Sequence, residues 1–353
     1  MNSQSNGFVE PAATPIFFSE SRARVGSVRP ARETRADVSI VACVDDTQVS
    51  TAVVLHAIAV GRGLDLPLTL ARVVEMAPHF GRPVDPVDWQ LRRNEHRDQL
   101  NQIAALPSDN PLPIKSVLLT GSAADSLSDW AIEHRAPLLA LATHGHGAPR
   151  HNGLGATAQR ILERAATSLL LVPFGAMPSQ TEVNYHKILV PLDGSCRAES
   201  VLPLASRIAR AHGAEIVLVH VVPKMDLVDI QTAQASDLCA QLSAHNERRA
   251  REYLDDLRRK LRGDGIPVTT IIAPNGDARA ELRRLAIQQH IDFIVLSSHG
   301  QSGLTDVPCG SVTKYLATHA PAPMLIVRPN FVHGFGASTD IVEQVSEPRP
   351  LAN

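Results

Sequence analysis

An α/β architecture is predicted for this chain: two tandem, open, parallel five-stranded sheets, each in the order 3-2-1-4-5, with helices on both faces. Three observations point there. One plan of segments occurs twice along the 353 residues. Within each copy, β-branched apolar runs alternate with stretches of helical spacing, which is the pattern of a parallel sheet with crossover helices. The apolar runs lack strict alternation, as expected of strands buried on both faces.

The copies match element by element. "DVSIVACVDD" (Asp37 to Asp46) corresponds to "HKILVPLDGS" (His186 to Ser195), and each apolar run ends in an acid, Asp45 or Asp193. "LTLARVVEMAP" corresponds to "EIVLVHVVP", "PLLALATHG" to "DFIVLSSHG", and "ATSLLLVPF" to "APMLIVRPN". Between them lie helix-spaced segments such as "AESVLPLASRIARAHG" and "ELRRLAIQQH". Glycines such as Gly213 and Gly265 close several of these segments. Crossovers are expected to be right-handed. The halves are placed at 36–175 and 186–330, with "GAMPSQTEVNY" supplying a linker at 176–185. Residues 1–35 and 331–353 read as mobile polar tails.

Composition excludes several function classes. Aromatics make up 4% of residues and the formal net charge is −2, which argues against a nucleic-acid surface built on stacked rings and basic charge. No apolar stretch approaches the roughly 20 residues that span a bilayer. The first residues lack a secretory signal. The four cysteines are widely spaced with no CxxC, as in a reduced, cytoplasmic protein.

In an open parallel sheet, ligands bind beyond the carboxyl ends of the strands, where strand order reverses. In the second half that crevice lies between Asp193 and the loop "SSHGQSGLTDVPCGSV" (Ser297 to Val312). Gly300 and Gly303 permit close backbone approach and positive φ. Gly310 and Ser311 open the next helix, whose free N–H groups and dipole favour an anion. The loop is equally readable as a plain turn with Ser311 as a helix cap. No Walker loop, activated nucleophile or GxSxG is present.

These segments resemble the universal stress protein family in tandem form. The resemblance covers both halves. The family's nucleotide pattern is Gly, two residues, Gly, nine residues, then Gly with Ser or Thr. Here Gly300, Gly310 and Ser311 match it, and Ser297 stands at the first glycine. The resemblance implies an ATP site, with or without magnesium, formed by Pro191, Asp193, Gly194, Ser195, Val221, Leu296, Ser297, Gly300, Gly303, Gly310, Ser311 and Val312. Val221 falls where a main-chain adenine contact is expected, and Asp193 near the ribose or a cation. The first half is a poorer match: Asp45, Val73, Gly145 and Gly155 are retained, Ala142 and Ala156 replace the first glycine and the hydroxyl residue, and Asp46 replaces Gly194. A lost charge-assisted hydrogen bond costs about 1.5–3 kcal/mol, roughly tenfold or more in affinity. Arg150 lies in that loop and offers partial compensation.

The resemblance further implies that the two halves pack face to face as an intrachain pseudo-dimer through their last strands, "SLLLVP" and "PMLIV", and allows a homodimer of the whole chain. The function implied is regulatory or signalling, in stress response, through an unidentified protein partner, with at most slow ATP hydrolysis. Two other readings stand beside it: an interaction module that binds no nucleotide, and an enzyme that uses ATP. The cluster His144, His146 and His151 is a flexible polar loop or a metal site. Cys309 is a small buried hydrophobe or a thiol sensitised by the helix end.

Overall fold

The computed structural model describes residues 38–75, 86–105, 113–145, 153–178, 182–223, 233–274, 276–300 and 309–329. The expected tails, Gly303, Arg150, His146 and His151 lie outside the described residues.

In the first half, β1 (Ile40–Cys43), α1 (Val49–Leu64), β2 (Leu68–Val74), α2 (Pro86–Ala105), β3 (Ile114–Thr120), α3 (Ala123–Glu133), β4 (Leu138–Ala142), α4 (Ala156–Arg164) and β5 (Ser168–Val172) follow one another. The second half runs β6 (Lys187–Pro191), α5 (Cys196–Glu199), α6 (Leu202–His212), β7 (Glu215–Val221), α7 (Ala233–Gly263), β8 (Val268–Ala273), α8 (Ala278–Gln288), β9 (Phe293–Ser297), α9 (Ser311–His319) and β10 (Met324–Val327). Each half is a parallel sheet of order 3-2-1-4-5. The predicted class is therefore the observed one.

The halves join edge to edge and not face to face. β5 and β10 pair antiparallel, with Leu170 opposite Leu325, and the described strands form one ten-stranded sheet. The physical reason is the strand edge. Each last strand presents an open row of N–H and C=O groups flanked by apolar side chains, and mutual pairing satisfies both rows. Leu169, Leu170, Leu171, Leu325 and Ile326 are all fully buried.

The helical segment after β6 departs from the sequence expectation. "AESVLPLASRIARAHG" is not one helix but two, α5 and α6, separated at Ser200–Val201. Pro203 has no N–H to donate to Glu199, four residues back, and its ring sits in the first turn of α6, where that loss is harmless. In the first half the corresponding α1 is unbroken over 16 residues.

The helices form two apolar layers, one on each face of the sheet. On one face α1 packs against α6 across the junction of the halves. Gly63 makes this approach possible: a β-carbon there would lie 2.9 Å from the Ile208 Cα. Polar groups lock the same seam. His212 Nε2 donates to the Ala59 carbonyl at 2.9 Å, and Arg207 donates to the Leu64 carbonyl at 2.7 Å. The 176–185 linker is not a bare spacer. Its Val183 and Tyr185 are buried, Tyr185 stacks on Phe293, and its hydroxyl meets His56 Nδ1 at 3.0 Å. On the opposite face Arg328 reaches across to the Leu162 carbonyl at 2.7 Å.

Candidate functional site

Two crevices open at the carboxyl ends of the strands, one per half. In the second, β6 ends at Pro191 and the chain turns sharply. Leu192 N–H remains bonded to the Val219 carbonyl, which holds the turn on β7. Asp193 Oδ1 accepts the Ser195 N–H at 3.0 Å and its hydroxyl at 2.6 Å. Ser195 Oγ in turn accepts the Ala198 N–H and caps α5. Gly194 takes a φ of 82°, the left-handed region that this tight turn needs.

The facing wall is the end of β9 with the start of α9. Gly310 N–H bonds the Ser298 carbonyl at 2.8 Å, and Thr313 Oγ1 bonds the Ser297 carbonyl at 3.1 Å. These two contacts tie the helix start to the strand end. Gly310 is the N-cap residue, with no side chain to cap the helix. The first-turn N–H groups of Ser311, Val312 and Thr313 therefore have no intrahelical partner, and the positive end of the helix dipole points into the crevice. Ser297 does not intrude as a crowding side chain, because its hydroxyl turns onto the His299 carbonyl at 2.6 Å.

Gly300 serves close approach and not positive φ, correcting one sequence expectation. A β-carbon on it would lie 2.1 Å from Asp193 Oδ2, so the two walls touch at this point. The cavity between them measures about 160 Å³. Pro191, Asp193, Val221, Leu296, Ser297, Gly300, Gly310, Ser311 and Val312 line it, while Gly194 and Ser195 shape the turn behind Asp193. Sequence reasoning missed Ala278 and Leu282 of α8, which close the apolar side. The signal that could have found them is Asp277, which caps α8 just before Ala278.

The first crevice repeats the frame. Asp45 Oδ1 accepts the Thr47 N–H at 2.9 Å, the Thr47 hydroxyl at 2.5 Å and the Ser50 hydroxyl at 2.8 Å. Gly155 N–H bonds the Thr143 carbonyl at 2.8 Å, and a β-carbon on Gly145 would lie 2.9 Å from Asp45 Oδ2. Strand register puts Val73 at the level of Val221 and Arg72 at that of His220, since Ala42 pairs with Leu70 as Val190 pairs with Leu218. The contents differ. Arg72 is 4% exposed and ion-paired with Asp46, and burial draws its pKa down while Asp45 pushes it up. Beside it on α2, His96 is held below the usual histidine range, first by burial and then by Arg72. In the second half His220 lies edge-on to Tyr253 in this place, and burial lowers its pKa. The first cavity measures about 700 Å³. Cavity size thus runs opposite to motif completeness.

Cys309 is 1% exposed and burial pushes its thiol pKa up, which is the buried-hydrophobe reading. Among the described residues no three His, Cys, Asp or Glu side chains gather as metal ligands, and no helix is long and apolar enough to cross a membrane.

The comparisons with known proteins agree with this architecture. The model of the universal stress protein family matches residues 39–173 and again 184–328. A universal stress protein of Mycobacterium tuberculosis is 24% identical over 283 residues, covering 75% of this chain and 88% of its own. One from Methanocaldococcus jannaschii is 27% identical over 157 residues, covering 41% of this chain and 96% of its own. A solved universal stress protein from Archaeoglobus fulgidus superposes with a TM-score of 0.57 at 15% identity, over 83% of this chain and 97% of that one, and shows the same fold. With the family model matched twice across the two halves of one sheet, the chain belongs to the universal stress protein family.

Proposed function

We propose that the second half binds ATP and that the protein acts as a nucleotide-dependent regulator in stress response, through a protein partner and not through catalysis. The observation that carries this reading is the wall-to-wall geometry at Asp193 and Gly300, with the uncapped start of α9 beside it. The phosphates would meet the N–H groups of Ser311, Val312 and Thr313 and the exposed Ser311 hydroxyl, where the helix dipole favours negative charge. The adenine would lie against Val221 and Leu282, with its edge toward the main chain at Val221. Asp193, at the end of β6, would face a ribose hydroxyl or a magnesium ion carried by the phosphates. The cavity of about 160 Å³ takes only part of a nucleotide, so the remainder would extend over its open mouth.

Among the described residues, the carboxylate and hydroxyl side chains at the two walls, Asp193 and Ser311, are assigned to the ribose or cation and to the phosphates. The half-buried imidazole of His220 lies edge-on to Tyr253. The reading is therefore binding without designed turnover. Mass spectrometry of the purified, denatured protein, with calorimetric titration of ATP and magnesium, tests it. Co-purified ATP, or one ATP bound per chain, supports it. A chain that takes up no adenine nucleotide would leave the interaction module as the better account.

A further inference from the structure

Two equivalent helices of the duplicated fold carry one frame with opposite charge. α3 and α8 begin at Ala123 and Ala278 and are each 11 residues long, so Ile132 of one stands where Ile287 stands in the other. They lie on the same face of the sheet near its two ends, α3 over β2 and β3 and α8 over β7. Each buries one stripe, Ala124, Leu127 and Ala131 in α3 and Leu282, Leu285 and Ala286 in α8. Each leaves its isoleucine in solvent, Ile132 at 62% exposure and Ile287 at 48%. A single exposed isoleucine is ordinary. One at the same position of both halves, flanked by charge of opposite sign, points to a shared use.

α3 carries three acids and no base, whereas α8 carries three arginines and one acid, Glu281. Asp129 stands one turn before Ile132 and Glu133 directly after it, while Arg283 and Arg284 stand one turn before Ile287. All four charged side chains are exposed. Asp125 is engaged by Arg160 and Arg164 of α4, but Asp129 and Glu133 have no ion pair among the described residues. Arg284 is paired with Glu281 of its own helix, an exposed contact of the weak kind that a second acid can displace. Arg283 uses its Nε on the His319 carbonyl at 3.2 Å.

We propose that α3 and α8 form a self-complementary surface on which a second copy of this chain docks. α3 of one copy packs on α8 of its partner about a twofold axis, so that each contact occurs twice. The four isoleucines are then covered, and Asp129 meets Arg284 at both junctions, since both stand near the middle of their helices. A face that carries its own complement at its other end fits a second copy better than an unrelated protein. The other symmetric pairing, α3 on α3 and α8 on α8, sets acid against acid and arginine against arginine, and like charge excludes it. The edges of the last strands are already used within the chain and take no part. The isoleucines supply the attraction, and the charges set the register.

Sedimentation velocity on the full chain over a range of concentrations tests this, with circular dichroism as the folding control. Wild type should dimerise at low salt and about tenfold more weakly near 1 M salt, where the screening length is about 3 Å. Asp129→Arg and Arg284→Asp should each weaken the dimer about tenfold. An equimolar mixture of these two variants should recover it, because each chain then offers the charge that the other lacks. Ile132→Ser should weaken the dimer while leaving the fold intact, since the side chain is exposed in the single chain. A wild type that stays monomeric throughout the concentration range overturns the proposal. So does a dimer that both charge variants form unchanged, which lies on another face, or a mixture that dimerises no better than either variant alone.

Discussion

Gly300 lies against Asp193 so closely that a β-carbon on the glycine would come within 2.1 Å of the carboxylate oxygen Oδ2. The other oxygen is held by both donors of Ser195. The glycine and the strand-end acid thus pack directly against each other, and the acid is fixed in place by Ser195.

Gly300→Ala is the direct test of that contact. The methyl group would force the Asp193 carboxylate to swing and break its two bonds from Ser195, at a cost of about 1–3 kcal/mol. The expected result is at least a tenfold loss of ATP affinity with the fold retained, read by calorimetry and circular dichroism. Gly145→Ala should perturb its own half less, because the equivalent distance to Asp45 Oδ2 is 2.9 Å. Equal effects of the two substitutions on ATP binding would count against the second half as the nucleotide site.

The seam between the halves gives a stability prediction. Gly63 lies inside α1, where alanine would ordinarily add about 1 kcal/mol of helix stability. Here its β-carbon would meet the Ile208 backbone at 2.9 Å, and backbone cannot step aside. Overpacking of this kind costs about 1–3 kcal/mol. Gly63→Ala should therefore lower Tm by several degrees in a thermal melt. An increase would mean that α1 and α6 are looser than their geometry indicates.

Acid should weaken the same seam. His56 is 6% exposed, donates from Nε2 to the Ala176 carbonyl and accepts the Tyr185 hydroxyl at Nδ1, and burial pushes its pKa down to about 4. Burial lowers His212 as well. The unfolded chain takes up a proton near pH 6.5, while the folded chain resists until about pH 4. Between these values the unfolded state binds more protons, so stability is full above pH 6.5 and falls as pH drops. His56 alone should account for about 2 kcal/mol between pH 7.5 and pH 5. Urea melts at the two pH values would measure it, and His56→Leu should show a smaller difference. A wild type with the same midpoint at both would contradict the neutral, buried assignment.

Much of this was legible in the sequence because it depends on local chemistry. Apolar runs ending in Asp45 and Asp193 marked the first strands, the repeat marked the two halves, and the pairing of the short apolar last strands followed from the family resemblance, while its edge-to-edge form did not. What escaped depends on distance in the chain. Arg72 sits in "LARVV" like any strand charge, and only the fold brings Asp46 and His96 to it. Gly63 reads as a weak spot in a helix until Ile208 is placed beside it. His56 and Tyr185 are 129 residues apart and carry no motif. The break at Pro203 was visible in principle, but helical periodicity on both sides concealed it.

The loop that starts α9 allows the sharpest separation of binding from folding. Gly310 has a φ of −65° and a ψ of 163°, which any residue can adopt, and among the described residues a β-carbon there would meet nothing nearer than the Ser298 carbonyl at 3.5 Å. Gly310→Asp is therefore sterically tolerated. Its carboxylate would take the N-cap role that the glycine leaves empty, bonding the first-turn N–H groups of α9, and replacing glycine by such a cap is worth a few tenths of a kcal/mol. Those N–H groups are the ones assigned to the phosphates, and the new charge repels phosphate besides. Stability should hold or rise slightly while ATP binding disappears. Ser311→Ala should be milder, losing about 1.5–3 kcal/mol of binding if the hydroxyl meets a phosphate oxygen. Fluorescent-ATP titration beside thermal melts would read both. Wild-type affinity in folded Gly310→Asp protein would show that the start of α9 is a turn onto the sheet and holds no phosphate.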